Sequence, residues 1–277
     1  MENTGKRKKI GLALSGGAAR GIAHVGVLRV LAKEKIPIDF IAGTSAGAIV
    51  GAAYARHRDT DRLTENALAA NWTKMAGLID PLLSKSGIIK GKKILSLISA
   101  FIGGNIDFTD LKIPFACVAT DIDTGEEVVI NQGHVPEALR ASISLPGIFA
   151  VVKRNERYLV DGGLTSPVPV GVVRRMGADI VIAVNVNPGV TMRMGKAYKQ
   201  RMDAHKEPNL IQVMTQSFYI TSYTVGQHAM ENADIIIEPD LAHVGAADFS
   251  KAPELITRGM EAAEKAMHKI RKMLADL

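Results

Sequence analysis

Short, wholly apolar runs alternate along the chain with longer stretches whose apolar residues recur every third or fourth position. The first kind marks buried strands and the second amphipathic helices. Residues 10–14 read as a buried strand, and 19–34 as a helix with Ile22, Val25, Leu28 and Leu31 at helical spacing. Residues 40–42 predict a second strand and 46–56 a second helix. Helices are expected over 61–71 and 92–101, separated by the glycine- and proline-punctuated "AGLIDPLLSKSGIIKG". Strands over 114–121 and 126–130 flank Asp123-Thr124-Gly125, a hairpin turn signal.

A short helix over 136–142 begins with proline at a favourable first position. Residues 157–160 predict a strand, 168–176 a helix, 179–186 a strongly apolar strand and 209–231 a helix. Residues 234–238 predict a last strand and 253–274 a closing helix. This alternation implies an open, mostly parallel sheet covered by helices on both faces, with one antiparallel hairpin. With no repeats and no linker, a single α/β domain is expected over 9–277, after a flexible basic tail at 1–8. Residues 189–208, "GVTMRMGKAYKQRMDAHKEP", are basic, Met-rich and without clear periodicity. They are expected to form a mobile surface loop, with a lid or membrane-contacting flap as the alternative.

Composition narrows the function. At 47% hydrophobic and 22% charged, the chain of 277 residues is ordinary for a folded globular protein. Its net charge of +6 favours anionic partners, yet no basic patch interleaved with aromatics supports nucleic acid. The single Cys117 allows no internal disulfide, fits a reducing compartment and sits in an apolar run as a core residue. The N-terminal stretch has too short an apolar core for a signal peptide, and the longest apolar stretch, 41–55, is too short to span a membrane. A cytoplasmic protein is expected, and any membrane contact would be peripheral, at the inner membrane surface.

Two glycine-rich turns carry the chemistry. The first, Ser15-Gly16-Gly17-Ala18-Ala19-Arg20-Gly21, follows the first strand. It lacks the Lys-Ser/Thr pair of a P-loop and the middle glycine of a dinucleotide fingerprint. Backbone N–H groups at such a turn can instead stabilise a transient oxyanion. Arg20 is read either as the partner of a buried carboxylate or as an attractor of an anionic head group. The second turn, Gly43-Thr44-Ser45-Ala46-Gly47, fits the nucleophile-elbow pattern between strand and helix.

A serine needs a proton acceptor. His205, His228, His243 and His268 come late enough for a triad in the order Ser, Asp, His, and of these His243 has loop placement. A carboxylate can act directly instead. Asp161 ends a strand before Gly162-Gly163, at the same sheet edge as both turns, and would need shelter to raise its basicity.

Together these motifs resemble those of the bacterial patatin-like phospholipases. The resemblance covers roughly 9–238 and rests on "SGGAARG", "GTSAG", "ALRASISLPGIF" at 138–149, "LVDGGLTSPVPV" at 159–170 and "GADIVIAVNV". It implies a three-layer α/β/α fold and a lipid acyl hydrolase with a Ser–Asp dyad, acting on a phospholipid or lysophospholipid. Ser45 would be the nucleophile, Asp161 the base, and Gly16, Gly17 and the Ala18 N–H the oxyanion hole. The family's loop usually has a third glycine where Ala18 stands, which is tolerable at negative φ. Ser142 and Pro146 would shape the pocket wall. No cofactor or metal is expected. A triad esterase and a non-catalytic binding or regulatory module on the same fold are the alternatives.

Overall fold

The computed structural model describes residues 7–69, 87–89, 92–187 and 207–275. Residues 1–6 of the expected tail, His205 and all but the last two residues of the 189–208 loop lie outside the described residues. Strands β1 (Ile10–Leu14), β2 (Phe40–Thr44), β4 (Phe115–Asp121), β9 (Ile180–Val184) and β10 (Ile235–Ile237) form the parallel part of an α/β sheet. Their order is β10-β9-β1-β2-β4. Helices α1 (Ala23–Lys33), α2 (Ala46–His57) and α8 (Ala252–Ala275) cover one face. Between these in sequence come α3 (Thr60–Ala69), α4 (Lys92–Ile102) and α5 (Val135–Ser142). On the other face lie α6 (Val170–Arg175) and the end of α7 (Leu210–Met230).

The two faces differ in side-chain size. Ile10, Leu12, Leu14, Ile41, Ile180, Ile182 and Val184 point into the large core under α1, α2 and α8. The opposite face presents Ala13, Ala42, Ala116 and Ala183. Small residues there let α6 sit close, so close that a Cβ on Gly11 would lie 1.9 Å from Val173 Cγ1. Strand alternation with period two thus builds two cores of unequal depth.

Beyond β4 the sheet turns antiparallel. β5 (Glu127–Ile130) forms the expected hairpin with β4, and β8 (Arg157–Asp161) also runs antiparallel to β4, with β7 (Val152–Arg154) outside it. The sheet is therefore mixed, with more antiparallel pairing than one hairpin. Two three-residue strands, β3 (Gly87–Ile89) and β6 (Gly147–Phe149), pair apart from it. Segments this short carry no periodicity, which is why the apolar pattern misses them. The helix expected from 19 starts instead with a 3-10 turn, Ala18–Ile22, before α1.

One pairing detail positions the site. On one edge of β4, β2 pairs up to Thr44↔Val118, and β8 takes over at Asp161↔Ala119. β5 occupies the opposite edge over the same residues. The residue after Thr44 is therefore set beside the last residue of β8.

Candidate active site

Ser45 stands between β2 and α2 with φ 53° and ψ −122°, a conformation disfavoured for a residue with a Cβ. The tightness of the turn explains the flanking glycines. A Cβ on Gly47 would lie 2.4 Å from the Leu14 carbonyl oxygen, and one on Gly43 2.5 Å from Ala48 Cα. The backbone is held from below by Ser142, at the end of α5. Its hydroxyl accepts the Ser45 N–H (2.9 Å) and donates to the Val118 carbonyl (2.6 Å). Ser142 is thus a support for the elbow itself, a closer role than the pocket wall expected of it. Its neighbour Ile143 lines the cavity and Pro146 does not.

The Ser45 hydroxyl donates to Asp161 Oδ2 at 2.7 Å. The other carboxylate oxygen accepts the Gly163 N–H at 2.8 Å. Asp161 is 3% exposed. Burial raises its pKa to about 7, and the bonds from Ser45 and Gly163 offset only part of that shift. A carboxylate this basic can accept a hydroxyl proton near neutral pH.

The first glycine loop closes over the same point: a Cβ on Gly16 would lie 3.3 Å from Ser45 Cβ. One expectation about this loop needs correction, and one condition on it is not met. The Gly16 N–H is occupied, donating to the Pro167 carbonyl (3.1 Å), so it offers no donor to an oxyanion. Ala18 has φ +51°, in the left-handed region rather than at negative φ, because the turn into the 3-10 segment demands it. Among the described residues, the N–H groups of Gly17 and Ala18 donate to no backbone carbonyl. Ala46, the first residue of α2, also lines the cavity beside Ser45, and a first-turn N–H has no partner within its own helix.

The loop is braced by its own Ser15 and Arg20 and by His24 and Asn187, which pattern alone did not mark. His24, fully buried on α1, bonds through Nε2 to the Ser15 carbonyl (2.9 Å). Burial lowers its pKa to about 4, so it stays neutral and donates from that nitrogen. Asn187 Nδ2 donates to the Gly16 carbonyl (3.0 Å), and the Ser15 hydroxyl accepts the Val186 N–H (2.9 Å). Arg20 is fully buried. It donates to the Val244 carbonyl (3.2 Å) and Asn187 Oδ1 (3.4 Å) and lies 5.6 Å from the Tyr219 ring centroid. These contacts tie the guanidinium to the segments that flank the loop. The signal that could have exposed His24 is a polar residue on a helix otherwise apolar from Ile22 to Leu28.

The described histidines considered as triad bases are elsewhere. His243 pairs with Glu254 (2.5 Å), His228 is exposed and lies 3.7 Å from Glu231, and His268 is exposed on α8. None of the three lines the cavity at Ser45. That cavity, of ≈ 170 Å³, has walls that are almost entirely apolar: Ile22, Ile49, Ile98, Phe101, Leu145 and Phe218 are among them. Cys117 lies buried within β4, its pKa raised by burial to about 12, and takes no part.

An elbow serine bonded to a buried, basic carboxylate at the edge of an α/β sheet offers the chemistry of the serine hydrolases. Residues 12–174, more than half of the chain, match the sequence family described as patatin-like phospholipase, and the chain belongs to that family. Two uncharacterized NTE family proteins of Mycobacterium tuberculosis are similar to it. One is 37% identical over 179 residues, covering 65% of this chain and 49% of that protein. The other is 30% identical over 282 residues, covering 94% and 46%. Lysophospholipase NTE1 of Pyricularia oryzae is 27% identical over 284 residues, covering 95% of this chain and 19% of its own length. The chain thus spans about half or less of the curated relatives it matches. Among solved structures, VipD from Legionella pneumophila aligns with 94% of this chain and 67% of its own, at 13% identity and TM-score 0.43. That likeness is too remote to bear on the site.

Proposed function

We propose that the protein is a serine acyl hydrolase that cleaves carboxylic esters of lipids, with a phospholipid or lysophospholipid as substrate. The observation that carries this reading is the 2.7 Å bond between the Ser45 hydroxyl and a buried Asp161 whose pKa lies at about 7. Membership of the patatin-like phospholipase family supports it.

In the proposed reaction, Asp161 takes the hydroxyl proton as Ser45 Oγ attacks the ester carbonyl carbon. The tetrahedral oxyanion is held by the N–H groups of Gly17, Ala18 and Ala46. The intermediate collapses with breakage of the C–O bond, and the proton on Asp161 passes to the departing alkoxide oxygen. Water, deprotonated by the same carboxylate, then attacks the acyl-Ser45 ester; the Oγ–acyl bond breaks, Asp161 returns the proton to Ser45 Oγ, and the fatty acid leaves. A single base serves both halves of the cycle, so neither a histidine nor a metal is required.

The substrate is met at a membrane surface in this reading. Support comes from α7: Leu210, Ile211, Val213 and Met214 are all exposed there, and the helix carries no Asp, Glu, Lys or Arg. Among the described residues no helix is long and apolar enough to cross a membrane, so the proposed contact is peripheral. The direct test is fatty-acid release from lysophosphatidylcholine and phosphatidylcholine vesicles. Wild type is expected to release it, and Ser45→Ala and Asp161→Asn are not. Equal release by Ser45→Ala would sink the proposal. Vesicle sedimentation, repeated as acidic lipid is added, checks the membrane contact, and no gain in binding would refute a role for the net positive charge.

A further inference from the structure

We infer that the cavity beside Ser45 is a channel for the acyl chain, and that Ala67 on α3, together with Val25 and Val50, forms its floor and limits the chain length accepted. The inference rests on the acyl-hydrolase reading above and deepens it.

The direction of the channel follows from where its helices begin. Both α1 and α2 start at the catalytic turns and run away from them. Along α2 the lining residues are Ala46, Ile49 and Val50, so the last of these lies about 7.5 Å from Ser45 along the helix axis. The next residue on that face, Ala53, is buried and no longer part of the lining. On α1 the lining likewise stops at Val25, with Leu28 fully buried below it. Both walls therefore end at one level.

The third side of the floor comes from α3. Arg29 on α1 donates to Thr64 (2.9 Å) and pairs with Asp61 (3.4 Å) on α3. One turn later on α3, Ala67 lines the cavity, as does Val25 one turn earlier on α1. The two helices are thus antiparallel, with Ala67 level with Val25. At this level Val25, Val50 and Ala67 are 0%, 5% and 1% exposed, whereas Leu97 in the α4 wall is 43% exposed. Where the lining of α1 and α2 stops marks the blind end. Leu97 lies at the open rim, above Ile94 and Ile98 of the same wall, which are 6% and 3% exposed. Because the floor is backed by packed core, volume added at Ala67 has nowhere to go except into the channel. Ala67 is the smallest of these three residues, so it is the position where a larger side chain shortens the channel most.

The test is kcat/KM for p-nitrophenyl butyrate, octanoate and palmitate with wild type, Ala67→Leu and Val50→Ala. Labelling by a small ethyl fluorophosphonate and a thermal melt are run beside it. Ala67→Leu is expected to lower the octanoate-to-butyrate ratio by about tenfold or more, since each displaced methylene costs about that much. Val50→Ala should raise the ratio, and the small probe and the melt show whether each variant keeps a folded site with a reactive serine. If Ala67→Leu does not fold, the opposite shift expected of Val50→Ala decides the matter alone. Folded variants that label normally and keep the wild-type chain-length profile would overturn the inference while leaving the acyl-hydrolase reading intact. A wild type that neither labels nor hydrolyses any ester would overturn both.

Discussion

Asp161→Asn should abolish turnover and make the protein more stable, and increasingly so as pH rises. The carboxyl is 3% exposed and its pKa is raised from 3.8 to about 7, with burial as the largest cause. An acid whose folded pKa is raised contributes its full stability below the unfolded pKa and loses it as pH climbs through the folded value. The raised pKa therefore costs the native state about 4 kcal/mol above about pH 8, and well under half of that at about pH 5, where the native carboxyl holds its proton. Asparagine removes that cost and can keep both contacts, although its second amide N–H gains no partner here. Its Oδ1 keeps the Gly163 N–H, and its amide can donate to Ser45 Oγ where the carboxylate accepted. For a domain of this size each kcal/mol moves Tm by about 2–4 °C, so the variant should melt roughly 10 °C above wild type at about pH 8.5 and only a few degrees above it at about pH 5. Differential scanning calorimetry across that range is the assay. A gap that is absent, or that narrows toward high pH, would refute the claim that Asp161 is a buried, costly base.

Other outcomes follow from the same geometry. Activity should rise with pH through about 7 as Asp161 loses its proton, and the rising limb of a kcat/KM profile on a neutral ester would report it. Ser45→Gly and Ser45→Ala should both be inactive, yet the glycine variant should melt higher, because only it relieves φ 53°, ψ −122°, worth about 1–3 kcal/mol before the entropy cost of glycine. Ser142→Ala leaves the buried Val118 carbonyl and the Ser45 N–H without their partner, at about 1–3 kcal/mol each. It should lower both Tm and kcat, which urea melts and ester kinetics on one preparation would show.

Much of the architecture was readable from the chain because it depends on local periodicity. The strands at β1 and β9 are unbroken apolar runs, and α1 repeats its apolar residues at helical spacing. The elbow was readable too, since Gly43 and Gly47 answer to sterics within one turn. What escaped the sequence depends on partners far away along it. No local pattern says that β8 replaces β2 on one edge of β4, yet that handover sets Asp161 beside Ser45. The Gly16 N–H meets Pro167, and Ser45 rests on Ser142, across comparably long separations. Ala18 was legible only as a condition: its methyl is tolerable at negative φ, and the structure has φ +51°, a conformation set by the tight entry into the 3-10 turn.

The central claim, an activated serine at position 45 driven by Asp161, is tested most directly by intact-mass analysis after treatment with a fluorophosphonate. One adduct is expected on wild type, none on Ser45→Ala, and strongly slowed labelling of Asp161→Asn. An adduct that survives in folded Ser45→Ala, or equal labelling rates in wild type and Asp161→Asn, would contradict it.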